Sequence, residues 1–205
     1  MDTRAASRRQ FERVFEANED PWGYRYAPTE RARFDAALAV LDRVCPPDGF
    51  VSALEIGCAE GAFTELLVPR CQSLLAVDFS PLAVERARRR CARFSSLRFG
   101  SWDLRTDDGF ETFELVVVMD VLDSLYRPQA LRAARRRLVQ LLAPGGQLLV
   151  TAKVQSPAIE EARWAKWLVR GGRNILRFLG RHPGLVVIEQ RESGGGHLVA
   201  VFRRI

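Results

Sequence analysis

Short apolar runs alternate along this chain with stretches in which apolar residues recur every three or four positions. The runs at Ser52–Ile56, Ser73–Val77, Ser96–Gly100, Leu115–Met119, Gln147–Ala152, Leu185–Arg191 and His197–Arg203 read as strands. Between them the helical period predicts helices over Gly61–Val68, Pro81–Phe94, Gln129–Leu142 and Ile159–Phe178. Several strands, Leu-Val-Val-Val-Met among them, are apolar throughout, as expected where helices cover both faces of a parallel sheet. This alternation predicts an α/β fold with a doubly wound, mostly parallel, seven-stranded sheet. The last two runs break the rhythm. Only Glu-Ser-Gly-Gly-Gly separates them, too little for a crossover helix, so they form a C-terminal antiparallel β-hairpin.

Ahead of the first strand, Phe11, Val14 and Phe15 share one helical face, as do Phe34, Ala37, Leu38 and Leu41. Asp20-Pro21-Trp22-Gly23-Tyr24 separates the two helices, Thr29 is the expected N-cap of the second, and Cys45-Pro46-Pro47-Asp48-Gly49 stops it. The reading is one domain over 1–205, with 1–45 a helical extension or lid and 50–205 the α/β core.

A length of 205 residues, 47% hydrophobic and 27% charged, fits a single soluble domain. No apolar run approaches the roughly 20 residues that span a bilayer. The charged N-terminus (Arg4, Arg8, Arg9, Glu12, Arg13) has no apolar signal segment, so a cytoplasmic protein without membrane partners is expected. The net charge of +6 invites a nucleic-acid reading. Its clusters, Arg86, Arg88, Arg89, Arg90 and Arg93 and then Arg132, Arg135, Arg136 and Arg137, lie on helices without interleaved aromatic residues, the pattern of a solvated face. Cys45, Cys58, Cys71 and Cys91 form no CxxC pair, and the histidines are His182 and His197, so no dedicated metal site is expected.

The chemistry collects at the carboxyl ends of successive strands. Gly57 and Gly61 flank the turn after the first strand, where backbone approaches a ligand closely and the next helix offers free N–H groups. Cys58 and Ala59 lie between them, and the dinucleotide fingerprint is not met. Glu55 just before the turn would repel a pyrophosphate and suits a cationic ammonium or sulfonium. Asp78 closes the second strand, where a carboxylate accepts both hydroxyls of a ribose, and Phe79 and Ser80 follow it. After the third strand, Asp103 is a candidate for an adenine amine, with Trp102 or Phe79 against the ring. Asp120 follows the fourth strand. Taken singly, Gly61 is a turn glycine, Asp103 a helix cap and Asp120 a surface acid; the string of them at successive strand ends points to a nucleoside site.

Through Leu54–Gly61, Ala76–Ser80, Trp102-Asp103, Met119–Leu122 and Leu142–Gly146 the chain resembles the class I S-adenosylmethionine-dependent methyltransferases. That resemblance implies their Rossmann-like fold, S-adenosyl-L-methionine as cofactor, and cofactor contacts at Glu55, Gly57, Cys58, Ala59, Gly61, Asp78, Phe79, Ser80, Trp102, Asp103 and Asp120. The family's usual loop has glycine where Ala59 stands. Asp20-Pro21-Trp22-Gly23-Tyr24, Glu30 and Arg33-Phe34 are similar to the lead-in of nodulation protein S and its relatives, small methyltransferases whose namesake methylates an amino sugar of a chitooligosaccharide. Their usual acid after the fourth strand is glutamate, here Asp120, and the aromatic pair after it is reduced to Tyr126.

Methyl transfer from a sulfonium is an in-line displacement in which positioning supplies much of the rate. An amine acceptor needs deprotonation and orientation; an alcohol needs a general base. Neither histidine falls at the end of the fourth or fifth strand, so both read as structural. Asp120 and Tyr126 are the catalytic candidates, and Asp123, Trp22, Tyr24 and Tyr26 the acceptor-binding ones. Trp22 either belongs to a lid or anchors the N-terminal helix. The expected activity is N-methylation of a small molecule. O-methylation and a nucleic-acid-associated role through the arginine helices are the alternatives. A monomer or a homodimer is compatible with helix 159–178, whose Trp164, Trp167, Leu168, Ile175 and Phe178 pack on the sheet, wall the acceptor pocket or pair subunits.

Overall fold

The structure is a computed structural model and describes residues 3–24, 27–107, 109, 111–125, 127–154, 171–193 and 196–205, with side chains from residue 9 onward. The elements in order are α1 (Thr3–Ala17), α2 (Pro28–Leu41), β1 (Ala53–Ile56), α3 (Ala62–Leu67), β2 (Leu74–Asp78), α4 (Pro81–Arg90), β3 (Leu97–Ser101), β4 (Phe113–Met119), α5 (Pro128–Leu141), β5 (Leu142–Lys153), α6 (Gly171–Gly180), β6 (Leu185–Glu192) and β7 (His197–Arg204). They build a seven-stranded sheet of order β3-β2-β1-β4-β5-β7-β6. Strands β1 to β5 pair in parallel, and β7 runs antiparallel to both β5 and β6. The expected fold and its terminal hairpin are therefore present.

Strand β4 shows why the sheet is covered on both sides. Val116 and Val118 point into a core shared with Leu131 and Leu138 of α5 and Ile175, Leu176 and Leu179 of α6. Leu115 and Val117 point into the opposite core, with Phe34, Ala37, Val40 and Leu41 of α2 and Phe63 and Leu67 of α3. Period-two alternation on a doubly buried strand leaves no polar position between Leu115 and Val118. Burying each of these valine, leucine, isoleucine and phenylalanine side chains contributes roughly 1.5–3 kcal/mol.

Several boundaries differ from expectation. Helix α2 is capped by Ala27 with Pro28 in its first turn, so Thr29 lies inside the helix; the fixed φ of proline suits that position. Strand β5 starts at Leu142, directly after α5, because Phe113 pairs with Leu142 and Leu115 with Gln147, absorbing Ala143-Pro144-Gly145-Gly146 in an irregular register. Helix α4 ends at Arg90, four residues early, and helix α3 is confined to Ala62–Leu67. Of the helix expected over 159–178, residues 159–170, with Trp164, Trp167 and Leu168, lie outside the described residues.

The sheet reverses winding direction between β1 and β4, since β2 flanks β1 on one side and β4 on the other. A crevice opens at the carboxyl ends of strands at such a switch point. Helix α1 closes over it. Phe15 packs with Ala59 and Ala83, and Phe11 meets Phe79 edge-on at 5.6 Å and Trp22 at 6.1 Å. Glu12 accepts the Ser80 hydroxyl at 2.9 Å, tying α1 to the start of α4.

Candidate active site

The crevice is a cavity of about 720 Å³ running from the ends of β2 and β3 to those of β4 and β5. At the first end the turn after β1 is built by close approach. Gly57 has φ 81°, and a Cβ there would stand 2.4 Å from Val121 Cγ2. Gly61 has φ 82°, and its Cβ would come within 3.0 Å of the Ala87 Cα on α4. Ala59 takes a left-handed φ of 46°, which explains glycine as the more usual residue there.

Asp78 ties this turn to the next one. Its Oδ2 accepts the Ala59 N–H at 3.0 Å and its Oδ1 the Ser80 N–H at 2.9 Å. Burial pushes its carboxyl up to about 6, and those N–H bonds pull the other way. Two carboxylate oxygens offer about four lone-pair positions, so acceptor capacity remains for a diol. Asp103 is held by Arg105, whose Nε and Nη2 reach its oxygens at 2.9 Å and 2.7 Å while the guanidinium lies 5.5 Å from the Phe79 ring centre.

The other end is assembled from distant segments. Asp120, in a left-handed turn of φ 56° after β4, accepts the Thr151 hydroxyl at 2.7 Å through Oδ1. Its Oδ2 meets Arg33 Nη1 at 3.0 Å and His197 Nε2 at 3.3 Å. Burial raises its carboxyl, but His197, Arg33 and Thr151 outweigh burial and hold it below the ordinary carboxylate range. Arg33 is 2% exposed. It donates to Glu30 through Nε at 2.9 Å and Nη2 at 2.5 Å, between the rings of Tyr24 and Phe34 at 5.4 Å and 4.7 Å. Tyr24, half-buried beside these acids, has its hydroxyl pushed well above the ordinary phenol range by desolvation.

Of the residues singled out in the sequence, Gly57, Ala59, Asp78, Phe79, Trp102, Asp103, Asp120, Asp123, Trp22 and Tyr24 line the cavity. Glu55, Cys58, Gly61 and Ser80 stand one layer behind it. Glu55 is buried beside Thr64 under the turn, and desolvation pushes its carboxyl up to about 7. Cys58 is buried against Ala76 and Ala87, and its thiol lies well above its ordinary pKa through desolvation. Tyr26 and Tyr126 lie outside the described residues.

Three contributors were not assigned a role from sequence: Arg33, Thr151 and His197. Arg33 is a charge on the apolar stripe of α2, at i, i+4 and i+7 with Ala37 and Val40, and that anomaly is readable. Thr151 is a polar residue inside an apolar strand. His197 reaches Asp120 because β7 is antiparallel, so its first residue pairs with Lys153 at the carboxyl end of β5. Among the arginine clusters, Arg86 donates to the Asn18 carbonyl, Arg93 pairs with Glu65, Arg135 lies 4.1 Å from the Phe178 ring centre and Arg137 donates to the Leu104 carbonyl. No helix among the described residues is long and apolar enough to cross a membrane.

Residues 3–197 match the family model of nodulation protein S, NodS. Nodulation protein S of Bradyrhizobium diazoefficiens is 40% identical over 134 residues, 65% of this chain and 62% of that protein. The Rhizobium tropici protein of the same name is 34% identical over 180 residues, 87% of this chain and 71% of that protein. The chain thus spans less than two thirds of the first of these relatives. Among solved structures, N-methyltransferase NodS from Bradyrhizobium japonicum WM9 in complex with S-adenosyl-L-homocysteine superposes with a TM-score of 0.81 at 32% identity. The match covers 95% of this chain and 97% of that one.

Proposed function

The chain belongs to the nodulation protein S family, and from that premise we propose that it is an S-adenosyl-L-methionine-dependent methyltransferase acting on the amine of a small molecule. One observation carries the reading: a single cavity joins Asp78 and the Gly57 turn to the acid cluster around Asp120. Its size suits a nucleoside together with a small acceptor. The donor set fits the cofactor. Asp78 has acceptor capacity for the ribose hydroxyls, Phe79 and Trp102 offer aromatic surface, and among the described residues no cluster of phosphate-binding cations stands at the turn. When bound, the sulfonium supplies an electrophilic methyl carbon.

This chain's own residues do the rest. Gly57, Ala59, Asp78, Phe79, Trp102 and Asp103 hold the nucleoside end; Glu55, Cys58, Gly61 and Ser80 shape the turn from behind. Helix α1, with Trp22 and Tyr24, covers the crevice as a lid and excludes water. Acidic side chains opposite the nucleoside favour an acceptor that arrives as a cation, which supports an amine over an alcohol. An amino sugar is such an acceptor.

Calorimetry with S-adenosylhomocysteine tests the cofactor, and methyl transfer to a panel of primary amines and matching alcohols tests the acceptor. Binding together with transfer to the amines alone is expected. A folded sample that binds no S-adenosylhomocysteine would overturn the reading.

A further inference from the structure

Among the described residues, three carboxylates face the acceptor end of the cavity: Glu30, Asp120 and Asp123. Two are paired with side-chain cations of the protein, Glu30 through its Oε2 alone and Asp120 through its Oδ2. Glu30 accepts two N–H groups of Arg33, at 2.9 Å and 2.5 Å. Asp120 accepts Thr151 at 2.7 Å and faces Arg33 and His197 at 3.0 Å and 3.3 Å. Asp123 differs. It sits on a single 3-10 turn, Leu122–Ser124, beyond the end of β4. Its Oδ2 accepts the main-chain N–H of Lys153 at 3.0 Å, whereas its Oδ1 has no partner among the described residues and the side chain borders the cavity.

We propose that Asp123 is the catalytic base, its Oδ1 receiving the acceptor's ammonium group and taking one proton from it, while Asp120 stays ionised as a positioning anion. This rests on the amine methyltransferase reading above. The ammonium transfers one proton to the Asp123 carboxylate, giving a neutral amine and a carboxylic acid. The nitrogen lone pair then forms a bond to the methyl carbon as the carbon–sulfur bond breaks and its electron pair returns to sulfur. The product leaves as a secondary ammonium beside neutral S-adenosylhomocysteine, and Asp123 returns its proton to solvent.

The surroundings separate the roles of the two aspartates. Asp123 is faced by Asp120 from its own loop, Lys153 from β5 and His197 from β7; Arg33 and Glu30 of α2 and Tyr24 lie beyond Asp120. Burial and then the fixed charge of Asp120 push the Asp123 carboxyl up to about 6, with the Lys153 N–H opposing. The cations and hydrogen bonds around Asp120 push that carboxyl the other way. Two nearby acids driven apart in this manner divide the work of proton transfer and charge stabilisation.

The test compares wild type, Asp123→Asn, Asp123→Glu and Asp120→Asn. Calorimetry with S-adenosylhomocysteine reads the cofactor site. Initial rates with saturating S-adenosylmethionine and a primary-amine panel headed by D-glucosamine are followed from about pH 5 to 9, the range in which such a base titrates. Carboxyl carbon NMR of the S-adenosylhomocysteine complex reads the aspartates directly. Wild type is expected to lose activity as pH falls through about 6, because the base is then protonated, and to show an Asp123 carboxyl resonance titrating there. Asp123→Asn should bind S-adenosylhomocysteine normally, lower kcat about 100-fold and lose that acid limb, with partial recovery in Asp123→Glu. An acid limb that survives in Asp123→Asn, or disappears only in Asp120→Asn, overturns the assignment. Wild type that binds S-adenosylhomocysteine yet methylates none of the amines would instead remove the functional reading, and this proposal with it.

Discussion

The two ends of the cavity are built by opposite means. At the nucleoside end, neighbouring segments are joined through the main chain: Asp78 accepts the N–H groups of Ala59 and Ser80, and Gly57 nests against Val121. At the acceptor end, side chains from α2, β5 and β7 converge on one aspartate. The first arrangement follows from strand order alone. The second exists only when α2 and the final strand have both docked, and it rests on a buried charge. The difference separates a general pocket, available to any sheet of this winding, from a particular one.

Arg33→Ala puts the greatest strain on that comparison. Leaving Asp120 and Glu30 without their buried cation should cost roughly 3–5 kcal/mol in denaturant unfolding, and Arg33→Lys should recover only part, because lysine lacks the planar fork. A loss below about 1 kcal/mol would mean that the pair behaves as an exposed one, and the contrast between the ends would collapse. Next in size is Asp78→Asn. It should weaken S-adenosylhomocysteine binding about tenfold, since an amide offers one acceptor oxygen where the carboxylate offers two. Unchanged affinity would show that the nucleoside end does not depend on its main-chain tie.

The smallest effect comes from Glu55, behind the nucleoside end. Its carboxyl is raised to about 7 by burial, so the folded state binds a proton that the unfolded chain has already released. Stability is therefore full below the ordinary glutamate range and falls as pH rises through 7. Between pH 6 and 7 the fall should be roughly 1 kcal/mol, a melting temperature lower by about 2–4 °C. Glu55→Gln should remove that share of the fall and leave the part contributed by Glu60 and Asp78. The same slope in the variant would place the titration elsewhere, at Glu60 or Asp78, whose carboxyls burial also raises.

The sheet and the nucleoside end were readable because each depends on local order. A run of apolar residues, then a glycine or an acid, recurs at the ends of β1, β2 and β3, and parallel strands bring those ends together automatically. The pairing of Asp103 with Arg105 was not read, although only one residue intervenes, because a strand-end acid looks the same with or without a partner. The acceptor end resisted for a different reason. Its contacts join residues 33, 120, 151 and 197, and no periodicity records which side chain of a distant segment will arrive. In the sequence His197 is only the start of a last strand. In an antiparallel strand the start lies on the rim where its parallel neighbours finish.

That reversal has a consequence for the order in which a growing chain acquires its parts. The polypeptide leaves the ribosome amino end first, so β1 to β4 and the nucleoside end can form while residues 197–204 are still unmade. Until that strand slides in beside Lys153, Asp120 has two of its three side-chain partners. The two ends of the cavity are therefore completed at different moments of synthesis, the far wall last.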